Sequence, residues 1–386
     1  MADFKATTIS SVNDIPIKLW NDLKCTENTY FTPEFLGAYE KSNPQVDFNY
    51  IIVKDHNDDF VAFANLQTIT LTIDVILKNI KLAKPLKKLL RFFLCNSPLK
   101  ILFCGNVFLS GEHGIFLKKG LDKYVLFKTI TKEISALSKR TKPLHAIFVK
   151  DFYKDSLYIT DELLNFEYTA MPVDPNMILK LRPEWQSYDD YKQDLKSKYR
   201  VKVNKADSTS AVLEMKDFNE ADFATYKDQL QALYENTIAN ADFNAQVLDL
   251  ETYVKLRSLY KKDFIVQAYF FENKLVGFLS ALKTNDHLDA HFIGLDYGVS
   301  KQLAIYPRIL NDYVRLGIKH QVKQINFGRT ASEIKTTIGA LPEPLMCYIR
   351  HKRSWVNNLI SPFFKMVNLK DFKQHDVSKQ KKRLNN

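Results

Sequence analysis

Residues 264–271 form an almost unbroken run of β-formers, Phe-Ile-Val-Gln-Ala-Tyr-Phe-Phe, and they open the clearest pattern in the chain. A polar turn follows at 272–274. Residues 275–283 read as a second strand, 284–287 as a tight connection and 288–295 as a third strand. Tyr306-Pro307 then opens a helix, because proline suits a first turn that does not use its missing N–H. Ile309, Leu310, Tyr313, Val314 and Leu316 recur at helical spacing, Gly317 is expected to close the helix, and 324–327 is a further short strand. The first half repeats this order. Strands are predicted at 49–53, 60–73 and 99–109, an amphipathic helix at 123–138 and a strand at 145–149. Strand, turn, strand, strand, helix, strand thus occurs twice at similar intervals, which points to a duplicated α/β unit. Two unrelated α/β domains remain the plainer alternative.

The copies differ in one link. Between second and third strands the later copy spends four residues, whereas the earlier one inserts residues 74–98. The insertion is basic: residues 75–111 hold seven Lys/Arg and no acid. Lys78, Lys81, Lys84, Lys88 and Arg91 step by three or four, and Ile76, Ile80, Ala83, Leu90 and Phe93 make a second stripe, with a kink expected at Pro85. Such a helix suits an anionic membrane surface, so residues 75–94 are expected to give peripheral membrane contact. An amphipathic cover for the first lobe explains the same pattern. Residues 350–386 carry ten Lys/Arg against Asp371 and Asp376, and 356–386 reads as a basic tail with 379–383 disordered. These two elements supply the formal net charge of +11; the rest is slightly acidic.

With 386 residues, 46% of them hydrophobic, the chain suits two lobes, predicted at 1–175 and 176–355. The polar first residues contain no signal-peptide pattern, and no apolar run approaches the roughly 20 residues a spanning helix needs. A cytoplasmic protein, peripheral to the inner membrane, is expected. Cys25, Cys95, Cys104 and Cys347 are scattered and read as free thiols, and no metal site is expected.

Between the lobes lie Ile178-Leu-Lys-Leu181, Tyr188-Asp-Asp-Tyr191 and Arg200-Val-Lys-Val-Asn-Lys-Ala206, followed later by Leu233-Tyr-Glu-Asn-Thr237 and Gly328-Arg-Thr-Ala-Ser-Glu-Ile-Lys-Thr-Thr-Ile-Gly-Ala340. With Pro342 and Arg350-His351, these stretches resemble FemABX-related and BioF2-like bacterial N-acyltransferases, once labelled peptidoglycan biosynthesis or recognition proteins. The resemblance covers residues 178–351 and reaches the first lobe only through element order. It implies two tandem GNAT-type lobes, each a mixed, largely antiparallel sheet flanked by helices, and acyl transfer to an amine. One feature departs from it. The Q/R-x-x-G-x-G/A cradle for the coenzyme A pyrophosphate has a single glycine here, Gly298, in the run to Arg308. The donor is therefore left open among coenzyme A thioester, acyl carrier protein and aminoacyl-tRNA.

Acyl transfer needs a base for the amine, stabilisation of the oxyanion and protonation of the leaving thiolate. Glu333 and Lys335, two apart after a strand, share a face if the chain there is extended, and Glu333 is the candidate base. Arg329 at a strand end suits a forked contact with phosphate or carboxylate. Alternation puts Asp289 and His291 on one face. Tyr306 and Arg308 flank the helix N-terminus, Tyr306 as a proton donor to the thiolate, and His351 lies on a final strand. Each residue type also has an ordinary structural use. The leading reading is an N-acyltransferase acting on an amine, with a lipid amine at the inner membrane face as the finer expectation. The alternatives are an aminoacyl-tRNA-dependent transferase on a cell-wall precursor, the one case in which nucleic acid is a partner, and a non-catalytic polysaccharide- or lipid-binding protein.

Overall fold

A computed structural model describes residues 4–72, 98–241, 246–365, 369 and 371–379. The amphipathic insertion at 75–94 and Cys95 lie outside them. The chain divides into two compact units. Unit 1 comprises Met1–Asp174, Asp242–Leu248 and Pro344–Leu369; unit 2 comprises Pro175–Ala241, Asp249–Glu343 and Lys370–Asn386.

Unit 1 begins with strands β1 (Lys5–Ile9), β2 (Asp47–Lys54), β3 (Phe60–Leu71), β4 (Leu99–Cys104), β5 (Ile115–Leu117) and β6 (Ala146–Phe152). Its helices are α1 (Ile17–Leu23), α2 (Pro33–Ser42) and α3 (Lys123–Arg140). Leu126, Phe127, Ile130 and Ile134 of α3 recur at helical spacing and are buried with Ile51, Val53, Ala62, Leu66 and Leu102 of the sheet. On α1, Trp20 lies 5.5 Å from Phe63 of β3. The predicted strand 99–109 stops at Cys104 because the chain turns at Gly105, whose φ of +124° favours glycine. A Cβ there would also meet the Lys150 side chain at 2.6 Å.

Strand β7 (Thr169–Lys180) runs from unit 1 into unit 2. Unit 2 then adds β8 (Glu214–Asp217), β9 (Phe264–Phe271), β10 (Lys274–Thr284), β11 (His287–Leu295) and β12 (Gln324–Asn326), with α4 (Ser197–Thr209), α5 (Glu220–Ala239), α6 (Glu251–Tyr260), α7 (Ile305–Lys319) and α8 (Ser332–Thr336). Helix α7 buries Ile305, Ile309, Tyr313 and Val314 against Leu279, Leu288 and Ile325, each side chain contributing roughly 1.5–3 kcal/mol. Gly317 does not close this helix. It lies inside it, where a Cβ would come within 2.6 Å of Ile325, so close helix–strand packing is its use. The opposite sheet face takes α5 and α6, with Tyr234 4.7 Å from Phe292 and Tyr253 4.9 Å from Phe264.

The chain closes with β13 (Leu341–His351) and α9 (Ser354–Lys365). From Pro344 onward β13 belongs to unit 1, where it pairs with β6, while β7 pairs with β12 in unit 2. The strand order is therefore β1-β2-β3-β4-β6-β13 in unit 1 and β8-β9-β10-β11-β12-β7 in unit 2. Both orders have the same sense: antiparallel pairs except for the fourth and fifth strands, which run parallel. Each unit takes its sixth strand from the position in the chain where the other copy should end. The first stretch of unit 1 ends at Asp174, next to the expected boundary at 175/176, but Pro344–Leu369 returns to unit 1, so the second lobe does not run to 355. The tail also departs from expectation. Val377 is buried in the unit 2 core with Phe372 packed beside it, and Lys379 donates to the Gln193 carbonyl (2.6 Å).

Among the described residues no helix is long and apolar enough to cross a membrane, and Cys25, Cys104 and Cys347 are buried free thiols.

Candidate active site

The chain enters α7 through Ala304, at φ 49° and ψ 38°, and no side chain caps the helix. The first N–H groups of a helix lack partners within it, and the aligned peptide dipoles favour an anion there. The nearest preceding acid is committed elsewhere. Asp296 accepts from the Gly298 N–H (2.9 Å) and pairs with Lys274 (3.0 Å).

This end of α7 opens into a cleft of about 730 Å³, lined on one side by Lys202, Lys205 and Thr209 of α4 and on another by Lys301 and Gln302. Helix α4 buries Tyr199, Val203 and Ala206, which turns Lys202 and Lys205, three apart, outward on one stripe. The helix is held by its neighbour. Asn311 of α7 donates to the Val203 carbonyl (3.1 Å) and to Asp207 (2.9 Å), and Arg315 also pairs with Asp207. Three lysines beside an uncapped helix N-terminus give this end of the cleft a positive field that favours an anionic group.

Glu333 reaches the same cleft from the first turn of α8. Its Oε1 lies 3.7 Å from Nε2 of His375, and His375 Nδ1 lies 3.1 Å from the Tyr199 hydroxyl. Glu333 is 60% exposed, so the pair adds little stability, but its carboxylate is open to a substrate. Among the described residues no group of three His, Cys, Asp or Glu is placed to hold a metal ion.

The other candidates are distributed differently. Residues 332–336 are helical rather than extended, so Glu333 and Lys335 do not share a face. Lys335 is buried and donates to the carbonyls of Phe327 (2.7 Å), Gly328 (3.2 Å) and Arg329 (2.8 Å); burial pushes its pKa down to about 7. It ties down a turn in which Gly328, Thr330 and Ala331 all have positive φ. Arg329 lies on that turn and is not part of the cleft lining. Tyr306 turns inward against the unit 2 core, and burial raises its hydroxyl far above the usual range. Arg308 is committed to Asp312 (2.7 Å), which also accepts from the Tyr269 hydroxyl (2.8 Å). On β11, Leu288 and Ala290 face the α7 core, which leaves Asp289 and His291 on the other face. The His291 ring lies 5.9 Å from Phe264 and 6.3 Å from Tyr253. His351 belongs to unit 1, where its Nδ1 accepts from the Arg353 N–H (3.1 Å). The expected convergence of Glu333, Arg329 and Tyr306 is thus corrected: Glu333 meets His375, Lys202, Lys205 and Lys301 instead.

The missed residues differ in how they could have been found. Lys205 lies in the basic stretch that carries the family resemblance, and its i, i+3 relation to Lys202 marks a shared face. His375 lies far along the chain from Glu333 with no local pattern to link them.

No protein-family profile and no curated protein matches the chain. Solved structures similar to it include the following three. A tandem GNAT protein from the clavulanic acid biosynthesis pathway has a TM-score of 0.54 at 8% identity, covering 91% of this chain and 99% of that one. FemX has 0.51 at 10% identity, covering 90% and 99%. The C-terminal domain assigned to a lysylphosphatidylglycerol synthetase from Agrobacterium fabrum has 0.51 at 7% identity, covering 93% and 98%. At such identities the likeness establishes the fold, which is that of two GNAT-type lobes in tandem.

Proposed function

We propose that this chain of two GNAT-type lobes is an N-acyltransferase whose donor, a phosphate-bearing thioester such as an acyl-coenzyme A, enters the unit 2 cleft. The observation that carries the reading is the uncapped N-terminus of α7 facing Lys202, Lys205 and Lys301. The donor phosphates take the positive end of the cleft, which places the thioester toward Glu333. The acceptor nitrogen attacks the carbonyl carbon; the new C–N bond forms as the C–S bond breaks. The proton leaving nitrogen passes to the Glu333 carboxylate, and the thiolate departs with a proton from solvent. His375, held by Tyr199, orients Glu333. A lipid amine is the acceptor the sequence suggests; the name of the Agrobacterium relative supports a lipid as acceptor, but phosphatidylglycerol offers a hydroxyl rather than an amine.

A tRNA-borne aminoacyl donor is the second reading. It is favoured by the exposed Lys198, which carries the positive charge of α4 beyond the residues lining the cleft. Its signature is an affinity that falls steeply with salt.

The test is thiol release from acetyl-coenzyme A by the full chain across a panel of soluble and lipid amines. Glu333→Gln is expected to lower kcat by about a hundredfold or more with an unchanged thermal midpoint. Full activity in that variant, or equal loss of activity and stability, removes Glu333 as the base.

A further inference from the structure

Helix α9 leaves two large apolar side chains in water. A surface helix ordinarily turns its apolar stripe inward and leaves polar residues to water. In α9 the one fully buried residue is Asn357, 5% exposed, whose side chain donates to the Glu167 carbonyl (2.8 Å) and accepts from the His351 N–H (2.9 Å). One turn to either side, Ser354 donates to the Glu167 carboxylate (3.1 Å) and Ser361 shares a hydrogen bond with Thr169 (2.6 Å). The helix is therefore fastened to unit 1 by its polar stripe. Val356, Ile360, Phe363 and Phe364 are half-buried, but Trp355 and Leu359, one turn apart, are 65% and 48% exposed.

Charge decides what covers these two side chains. Arg350 is paired with Glu167 (2.7 Å), but Arg353 and Lys365 are exposed, and residues 344–370 contain no Asp or Glu. A second copy meeting this face two-fold would set basic residues against basic residues. An anionic lipid surface satisfies both parts. Its headgroups attract the basic residues, while tryptophan and leucine enter the boundary between headgroups and acyl chains. We propose that α9 is a membrane-surface element that docks unit 1 onto anionic bilayers through Trp355 and Leu359. This holds whether or not unit 2 transfers acyl groups.

The test is co-sedimentation of the full chain with vesicles of phosphatidylglycerol and phosphatidylcholine, against phosphatidylcholine alone. The wild type should bind the anionic vesicles, with a blue shift in tryptophan fluorescence as Trp355 leaves water. Trp355→Ser with Leu359→Ser should lower partitioning at least tenfold. Both side chains lie outside the core, so the thermal midpoint should hold; the Trp355 shift in the unmutated chain supplies a readout independent of the variant. Arg353→Glu with Lys365→Glu should weaken binding at low salt and matter less at high salt. Reversing Lys81, Lys84 and Lys88 to glutamate should leave the Trp355 shift in place. The proposal is overturned if the wild type ignores anionic vesicles or if the serine variant binds as well as the wild type. It is equally overturned if the same substitutions instead abolish a dimer seen in sedimentation.

Discussion

The two units share one strand order and one helix position, yet treat the start of that helix in opposite ways. In unit 1, α3 begins with Asp122, whose carboxylate accepts from the N–H groups of Tyr124 (2.9 Å) and Val125 (3.3 Å). In unit 2, α7 begins with Ala304, which has no side chain to offer. The unit 1 helix carries its own anion; the unit 2 helix has none from its own cap, which is where the proposed donor would bind. Polar groups that close each frame are similar in kind. Lys150 in unit 1 donates to the carbonyls of Asn106 (2.6 Å) and Leu109 (2.7 Å), as Lys335 does to a turn in unit 2. The duplicated frame is thus kept in both units, and the units differ in what occupies one helix end.

The largest expected effect on this contrast is chemical. Glu333→Gln should cost about a hundredfold or more in kcat, whereas Glu112→Gln, an acid of unit 1 bonded to Ser156 (2.6 Å), should leave kcat unchanged. Steady-state rates for both variants check this. Next comes donor affinity. Lys202→Glu with Lys205→Glu should raise the donor KM by roughly tenfold, more at low salt, because two attractive charges become repulsive. A rise that ignores ionic strength would mean the lysines do not face the donor's charge.

A third effect concerns pH. Lys335 gives up its proton near 7 in the fold, against about 10.5 for an ordinary lysine. Between those values the unfolded chain holds the extra proton, so this residue makes stability rise with pH across that window, by at most about 1.4 kcal/mol per unit. Denaturant unfolding at pH 7 and pH 10 should show the rise in the wild type and not in Lys335→Met. The variant should also lose roughly 1–3 kcal/mol, since three carbonyls lose their donor. The smallest effect is in unit 1. Asp122→Ala should cost about 1 kcal/mol by removing the cap, with donor KM unchanged, as thermal melts and kinetics would show.

Much of the frame was legible in the sequence because hydrophobic period reports local structure. Strand β9 was read to the residue, and β10, β11 and α7 to within a few. The exchange of sixth strands was not legible. β7 and β13 pattern as strands whichever sheet they join, and only tertiary pairing decides between them. The candidate cleft was partly legible. Glu333 was identified, but on the premise of an extended chain, because 332–336 is too short for period to tell helix from strand. His291 and Tyr306 have residue types suited to catalysis, but packing turns His291 toward the α6 side of the sheet and Tyr306 into the core. Lys202 and Lys205 were visible as basic residues, and their meaning depended on an uncapped helix end that no motif announces.

We propose that one donor molecule binds per chain, at the uncapped end of α7. Calorimetric titration of coenzyme A into the full chain tests it most directly, with Ala304→Asp as the partner measurement. The substitution places in unit 2 the carboxylate that unit 1 already has, and aspartate tolerates the left-handed backbone at that position. The wild type is expected to show one site per chain, Ala304→Asp to lose at least roughly tenfold in affinity through a repelled phosphate, and Asp122→Ala to bind unchanged. Two sites per chain, or wild-type affinity in Ala304→Asp, would contradict it.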